Sequence, residues 1–411
     1  VHGRRTIAAV AALVAAALAG ATDAQGALDQ QQCMAQRHVR CYSPTQVLRA
    51  YRVDRLHRTG IDGRGTRIAI IMSSVAGLRD SVAAQSERWH LPAPRLTIAE
   101  PAGPAGAPGT GTIAAEGTLD VQAAHLMAPR AQLLYLAVPE AAVFDVLLQD
   151  EPVAAAVDAA VRAHVDVISM SFGGAERPYP ATRAAIARAT RAGIPVLAAT
   201  GDFGASFPGF SDVGTSYPAA DPNATAVGGT LVTLDGRGDR LMPDAAWGPD
   251  ALGGASGGGI SLLNAAPSWQ RGYPGVLGTM RNYPDVSLLG AASSSMIVSF
   301  SPAAQFSRAY AGGLYPLAGT SLATPLLAGV LALARQQGGH RLRGVNAALY
   351  RLAAHDPERN GIVDVVLGNN TATVDGRRVS GYLATTDYDR VTGLGTIDGP
   401  RFVRALARAT R

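Results

Sequence analysis

The 411-residue sequence contains no lysine, so its formal net charge of +5 is carried by arginine alone. Those arginines are scattered, with no basic run longer than a pair, which is not the pattern of a nucleic-acid-binding chain. Only two cysteines occur, Cys33 and Cys41. Neither has a close second cysteine or a suitably placed histidine, which excludes the usual cysteine-based metal and redox motifs. Charged residues make up 16% of the chain and hydrophobic ones 47%, which excludes a disordered polymer. Long apolar runs are also missing, with one exception at the N-terminus.

That exception runs from Ile7 to Leu18, behind Arg4 and Arg5, and ends in small residues at Ala21 or Ala24. It is too short to span a bilayer and has the layout of a secretory signal over residues 1–24. The mature chain is therefore expected to be secreted, extracellular or periplasmic, with no membrane contact after signal removal. In such a compartment Cys33 and Cys41 are expected to close one short disulfide loop in an N-terminal segment, residues 25–41. No internal repeat or linker divides the remainder, which reads as one domain over residues 42–411.

Strand and helix signals alternate along that domain. The run Arg67–Met72 is apolar nearly throughout and predicts a strand buried on both faces. Helices are predicted over 45–51, 81–89, 114–127, 153–164 and 181–192, with strands over 95–99, 132–138, 165–171 and 195–200. This alternation predicts an α/β fold, a mostly parallel central sheet with helices on both faces. The Gly/Pro-rich stretch Pro101–Gly111 reads as a surface loop.

One segment suggests chemistry. Gly319-Thr320-Ser321 leads into Leu322-Ala323-Thr324-Pro325 and an apolar helix. A hydroxyl at a helix start sits among unpaired N–H groups and the positive dipole end, a suitable place for a nucleophile. An ordinary N-capping serine looks the same. A nucleophilic serine also needs a base. The first core strand ends in Met72-Ser73-Ser74 without an aspartate, and none of the eight histidines lies in a His-Gly-Thr motif. His125 falls on the opposite helical face from the acids described next and reads as a core or surface histidine.

Those acids are Glu116 and Asp120, four residues apart and so on one helical face. Two carboxyls this close repel when both ionise, which raises a pKa and lets the pair share a proton. A solvated helix N-terminus also favours acids. Asp202, in Gly201-Asp202-Phe203-Gly204, follows a predicted strand at its carboxyl end. A protonated acid there can donate to a developing oxyanion; alternatively it is a turn-forming aspartate. The Gly253–Gly259 run lacks a following Gly-Lys-Ser/Thr, so it is not a phosphate loop.

Taken in order, these segments resemble the sedolisin family of serine-carboxyl peptidases. The resemblance runs from about Ser43 to Gly399 and includes Ser169-Met170-Ser171-Phe172-Gly173 and Thr200-Gly201-Asp202-Phe203-Gly204. Tyr217-Pro218-Ala219, Ala226-Val227-Gly228-Gly229-Thr230, Gly257-Gly258-Gly259-Ile260-Ser261 and Pro284-Asp285-Val286 follow, then the serine segment. The resemblance implies a subtilisin-like fold and acidic hydrolysis of peptide or unfolded protein substrates. It assigns Ser321 as nucleophile, Glu116 as base, Asp120 as partner acid and Asp202 as oxyanion donor; a monomer is expected. It also implies one structural Ca2+, held by Asp364 and Asp389 and by the carbonyls of Val365, Thr385 and Asp387, although Thr385 and Asp387 stand where glycine is usual. Met72 stands where relatives often place a further acid. Only some 20 residues lie where the family carries a long propeptide. A catalytically inactive peptide-binding relative and a neutral peptidase with a hidden histidine are the competing readings.

Overall fold

The computed structural model describes residues 39–107, 112–143, 148–206, 214–249, 254–301 and 313–411. The signal segment, Cys33 and residues 108–111 of the Gly/Pro-rich loop lie outside the described residues. Cys41 is disulfide-bonded and lies in a short strand, Arg40–Tyr42, that pairs in parallel with Ser294–Phe300.

The central sheet has eight strands: β1 (Arg67–Ser73), β2 (Arg95–Ala99), β3 (Gln132–Val138), β4 (Val167–Met170), β5 (Val196–Ala199), β6 (Ala224–Leu231), β7 (Ala245–Ala246) and β8 (Val286–Leu289). The order is β7-β6-β5-β4-β1-β3-β2, and β8 also pairs with β6. Every pairing is parallel except β7 with β6. β1 lies between β3 and β4, with Ile68 opposite Leu133 and Val167, so its continuous apolar run meets neighbours on both edges and both faces.

Helices α1 (Leu78–Arg88), α2 (Thr112–Met127), α3 (Asp150–Arg162), α4 (Pro180–Arg191), α5 (Thr320–Gly338) and α6 (Gly399–Ala409) surround this sheet. α2, α5 and α6 pack together on one side, while α3 and α4 pack on each other and on the sheet. α5 is buried from Thr320 to Ala334 and crosses β4, β5, β6 and β8. It packs against α2 at Gly329, where a Cβ would stand 2.4 Å from the Met127 Cβ. Only glycine permits that interhelical distance. Among the described residues no helix is long and apolar enough to cross a membrane.

The expected α/β architecture, with its mostly parallel sheet between helices, is the one found. Boundaries differ at the ends. The first helix begins at Pro44 rather than Thr45, because Ser43 accepts from the Gln46 amide while the Gln46 side chain accepts from the Ser43 amide. It ends at Ala50, and a second short helix follows at Val53–Arg58. α1 starts three residues early, at Leu78, and α3 at Asp150; α4 takes Pro180 into its first turn. β4 is shorter than expected, since the Val165 amide closes the end of α3 on Ala160.

Candidate active site

Ser321 occupies the first turn of α5 behind Gly319, whose φ of 109° belongs to the region open to glycine. A Cβ on Gly319 would also stand 2.7 Å from Asp202 Oδ2. Asp202 therefore lies directly against the helix start. The Thr320 amide and hydroxyl both donate to Asp202 Oδ1, at 2.8 and 2.9 Å, and the Gly201 amide donates to Thr320 Oγ1 at 3.0 Å. Burial still dominates these bonds and raises the Asp202 pKa to about 6.

Pro325 shapes the same turn. It lacks the N–H that would reach the Ser321 carbonyl four residues back. The Ser171 hydroxyl donates to that carbonyl instead, at 3.3 Å, and Ser321 Oγ donates to the Ser171 carbonyl at 3.4 Å. The serine is thus tied to the chain leaving β4. It is 9% exposed, at the edge of the interior.

Glu116 and Asp120 project from α2 into this place and are buried. Burial, the largest cause, pushes both carboxyls well above their ordinary range, and for Glu116 the neighbouring charges of Asp120 and Asp202 add to the rise. The nearby hydroxyls of Ser321 and Ser171 oppose the rise for Glu116 and Asp120 respectively, while in the structure both donate to backbone carbonyls. Glu116 Oε1 and both Asp120 oxygens are buried without a hydrogen-bond donor. Unpaired buried carboxylates are costly, so the pair holds protons rather than full charge. Among the described residues none of the three acids forms an ion pair with a basic side chain.

The structure therefore brings Glu116, Asp120, Asp202 and Ser321 together, with Ser171 and Thr320 as members that their motifs did not single out. Tyr135 is another: its buried phenol donates to the Ser73 carbonyl at 2.6 Å beside the two α2 carboxyls, whose charges join burial in raising its pKa. Met72 is fully buried in β1 and offers no polar group. Of the two positions left open for His125, core and surface, the structure places it in the core. Its Nε2 lies 3.0 Å from the Pro92 carbonyl and 3.1 Å from Ser86 Oγ, and burial lowers its pKa to about 4.

Near the C-terminus, the Asp387 amide donates to Asp364 Oδ2 at 2.9 Å. The Thr385 amide donates to Asp389 Oδ2 at 3.1 Å, and the Val391 and Thr392 amides donate to Asp389 Oδ1 at 2.8 Å. Asp387 has a φ of 68°, the left-handed conformation that aspartate tolerates and glycine prefers. Burial raises the pKa of both Asp364 and Asp389, the latter to about 6, and neither pairs with an arginine among the described residues. No group of three or more His, Cys, Asp or Glu side chains there is arranged to hold a metal. A cation would rest on two carboxylates and backbone carbonyls, an all-oxygen set that suits a hard ion.

A family model described as the subtilase family matches residues 106–356. Kumamolisin from Bacillus sp. (strain MN-32) is 32% identical over 385 residues, covering 89% of this chain and 63% of that protein. Sedolisin from Pseudomonas sp. (strain 101) is 32% identical over 197 residues, covering 47% of this chain and 30% of that protein. The chain thus spans less than two thirds of the length of either relative. The solved structure of Pseudomonas sedolisin, a serine-carboxyl proteinase complexed with two molecules of pseudo-iodotyrostatin, matches with a TM-score of 0.75 at 24% identity. That match covers 89% of this chain and 97% of that one, and shows the subtilisin-like fold. The chain belongs to the subtilase family, and within that family its similarity is to kumamolisin and sedolisin.

Proposed function

We propose that this chain is an exported endopeptidase that hydrolyses peptide bonds at acidic pH. The observation that carries the reading is a helix-start serine among two buried carboxyls and a third, half-buried one, with no basic partner among the described residues. Ser321 Oγ gives its proton to Glu116 as it attacks the scissile carbonyl, and Asp120 accommodates the change by sharing a proton with Glu116. Protonated Asp202 and the Ser321 amide, which has no intrahelical acceptor at this position, donate to the oxyanion. Glu116 then returns the proton to the leaving amine, and water releases the acyl group from Ser321 by the same path in reverse.

Acidity follows from these roles. Asp202 donates only while protonated, so activity declines as pH rises through about 6. The Glu116–Asp120 pair must give up one proton to supply a base, which sets the acidic limb. The substrate strand would lie along Ser169–Gly173, next to Ser321. Asp364, Asp389 and the carbonyls of Val365, Thr385 and Asp387 would hold a Ca2+ ion, which supplies charge compensation that fixes the C-terminal loops.

The test is hydrolysis of an unfolded protein from about pH 3 to 8 by the purified chain, Ser321→Ala and Glu116→Gln. Activity confined to acid, falling on the order of 10⁴-fold or more in Ser321→Ala and strongly in Glu116→Gln, is expected. A neutral optimum that survives Glu116→Gln would replace this reading with a histidine-based one. A folded chain inert at every pH would make it a peptide-binding relative.

A further inference from the structure

The geometry points to a second binding site, for a linear phosphate-bearing polyanion, at the end of the molecule away from Ser321. Two adjoining cavities of about 500 and about 420 Å³ share Arg401 and Arg404 as lining residues. Arg359 and Arg408 also line the first, and Arg52 and Arg55 the second. α6 presents Arg401, Arg404 and Arg408 on its exposed face, because Phe402, Val403, Leu406 and Ala407 are buried on the other. All six arginines are exposed.

Little neutralises them. The one carboxylate that lines these cavities, Asp398, pairs with Arg52 at 2.7 Å and accepts from the Arg401 amide. Arg401 and Arg404 side chains donate to backbone carbonyls, those of Glu358 and Pro400, which leaves their charge uncompensated. Among the described residues, Arg55, Arg359, Arg401, Arg404 and Arg408 form no ion pair. Scattered solvating arginines would avoid such crowding, since five like charges around adjoining concavities repel.

Guanidinium forks match phosphate oxygens two at a time, and a row of them suits a chain of anions rather than one ion. Phosphate stays anionic in acid, whereas a carboxylate polymer is neutralised near its ordinary pKa of about 4. This last step rests on the acidic reading above; the geometry does not. Gln337, near the end of α5, lines the second cavity, and Ser321 is in the first turn. At 1.5 Å per residue they lie about 24 Å apart, so a polyanion bound here leaves the serine accessible.

The experiment measures binding of labelled linear polyphosphate by the full chain in rising NaCl, alongside hydrolysis of a short peptide. The variant Arg401→Ala/Arg404→Ala/Arg408→Ala is compared with Arg95→Ala/Arg191→Ala/Arg237→Ala, which removes the same charge elsewhere. Wild type should bind. The α6 variant should weaken by about tenfold or more and lose about two from the slope of log K against log salt. The control variant should change less than about threefold, and peptide hydrolysis should be unaltered in both. No binding by wild type, equal loss in the two variants, or tighter binding of heparin or duplex DNA would overturn the proposal. If the triple variant fails to fold, Arg404→Glu alone should still cost about tenfold, and an unchanged affinity would overturn it. Hydrolysis is read separately, so failure here is distinct from failure of the peptidase reading.

Discussion

Asp120 and Asp285 are the same residue type, and both are 0% exposed, yet their surroundings are opposite. Asp285 accepts from Arg281 at Oδ1 and Oδ2, from the Ala226 amide at 2.8 Å and from the Tyr350 phenol at 3.0 Å. Arg281, buried against it and under Trp269, is held firmly protonated by that charge. Asp120 has no donor on either oxygen and a second acid one helical turn away. A buried carboxyl given partners pairs with them and holds structure. One denied partners becomes a place to keep a proton, which is what an acidic catalytic pair requires.

Removing each should separate the two kinds of acid. Asp285→Ala leaves Arg281 as an uncompensated buried charge and should cost about 3–5 kcal/mol of stability by denaturant unfolding, at pH 5 and pH 7 alike. Asp120→Asn should stay within about 1 kcal/mol of wild type while the rate of peptide hydrolysis falls about 10²-fold or more. Equal destabilisation by the two substitutions would break the contrast and make Asp120 structural.

Asp202 tests it from the other side, as an acid with partial partners. Asp202→Ala should lower kcat by about 10²–10³-fold at pH 5, the usual effect of losing one oxyanion donor. Asp202→Asn should lose less and should move the alkaline limb upward, because an amide donates at any pH. The folded pKa of about 6 exceeds the ordinary 3.8, so this group stabilises the fold below pH 3.8 and that contribution fades as pH rises through 6. The difference corresponds to about 2.4 kcal/mol between pH 4 and pH 7, absent in Asp202→Asn, as read by urea midpoints. A limb unmoved in Asp202→Asn would assign it to another group.

The smallest effect concerns Asp389. Ca2+ at a hundred times its Kd should stabilise the chain by about 2.7 kcal/mol against a chelator, seen as a raised Tm. Asp389→Ala should remove that response. A Tm indifferent to Ca2+ in the wild-type chain would show that the backbone amides facing Asp364 and Asp389 satisfy them without a cation.

How much of this was legible in the sequence depended on separation along the chain. Glu116 and Asp120 announce themselves because four residues fix one helical face, and Arg67–Met72 because a doubly buried strand must be apolar throughout. Pro284-Asp285-Val286 was visible as a segment, but Arg281 and Tyr350 as its partners were not, since folding alone brings Tyr350 to it. The Ser171–Ser321 exchange joins residues 150 apart and depends on the carbonyl that Pro325 leaves free. The arginines at 52, 55, 359, 401, 404 and 408 read as scattered because they are scattered. The packing of α6 beside Val53–Arg58 makes them a cluster. Three of the displaced helix starts carry proline in the first turn, where its fixed φ suits the helix and its missing N–H costs nothing.

Gly329 has a consequence beyond packing. The proposed base and nucleophile lie on different helices, Glu116 on α2 and Ser321 on α5, and those helices touch two turns behind the serine, where Met127 meets a residue without a side chain. The spacing between proton acceptor and attacking oxygen is thus gauged at a joint that neither substrate nor solvent reaches. Two rods pinned at one end keep their gap at the other, so this site has a calibration point buried about 12 Å from its chemistry. Sequence drift there could retune the reacting distance while every residue that touches the peptide stays the same.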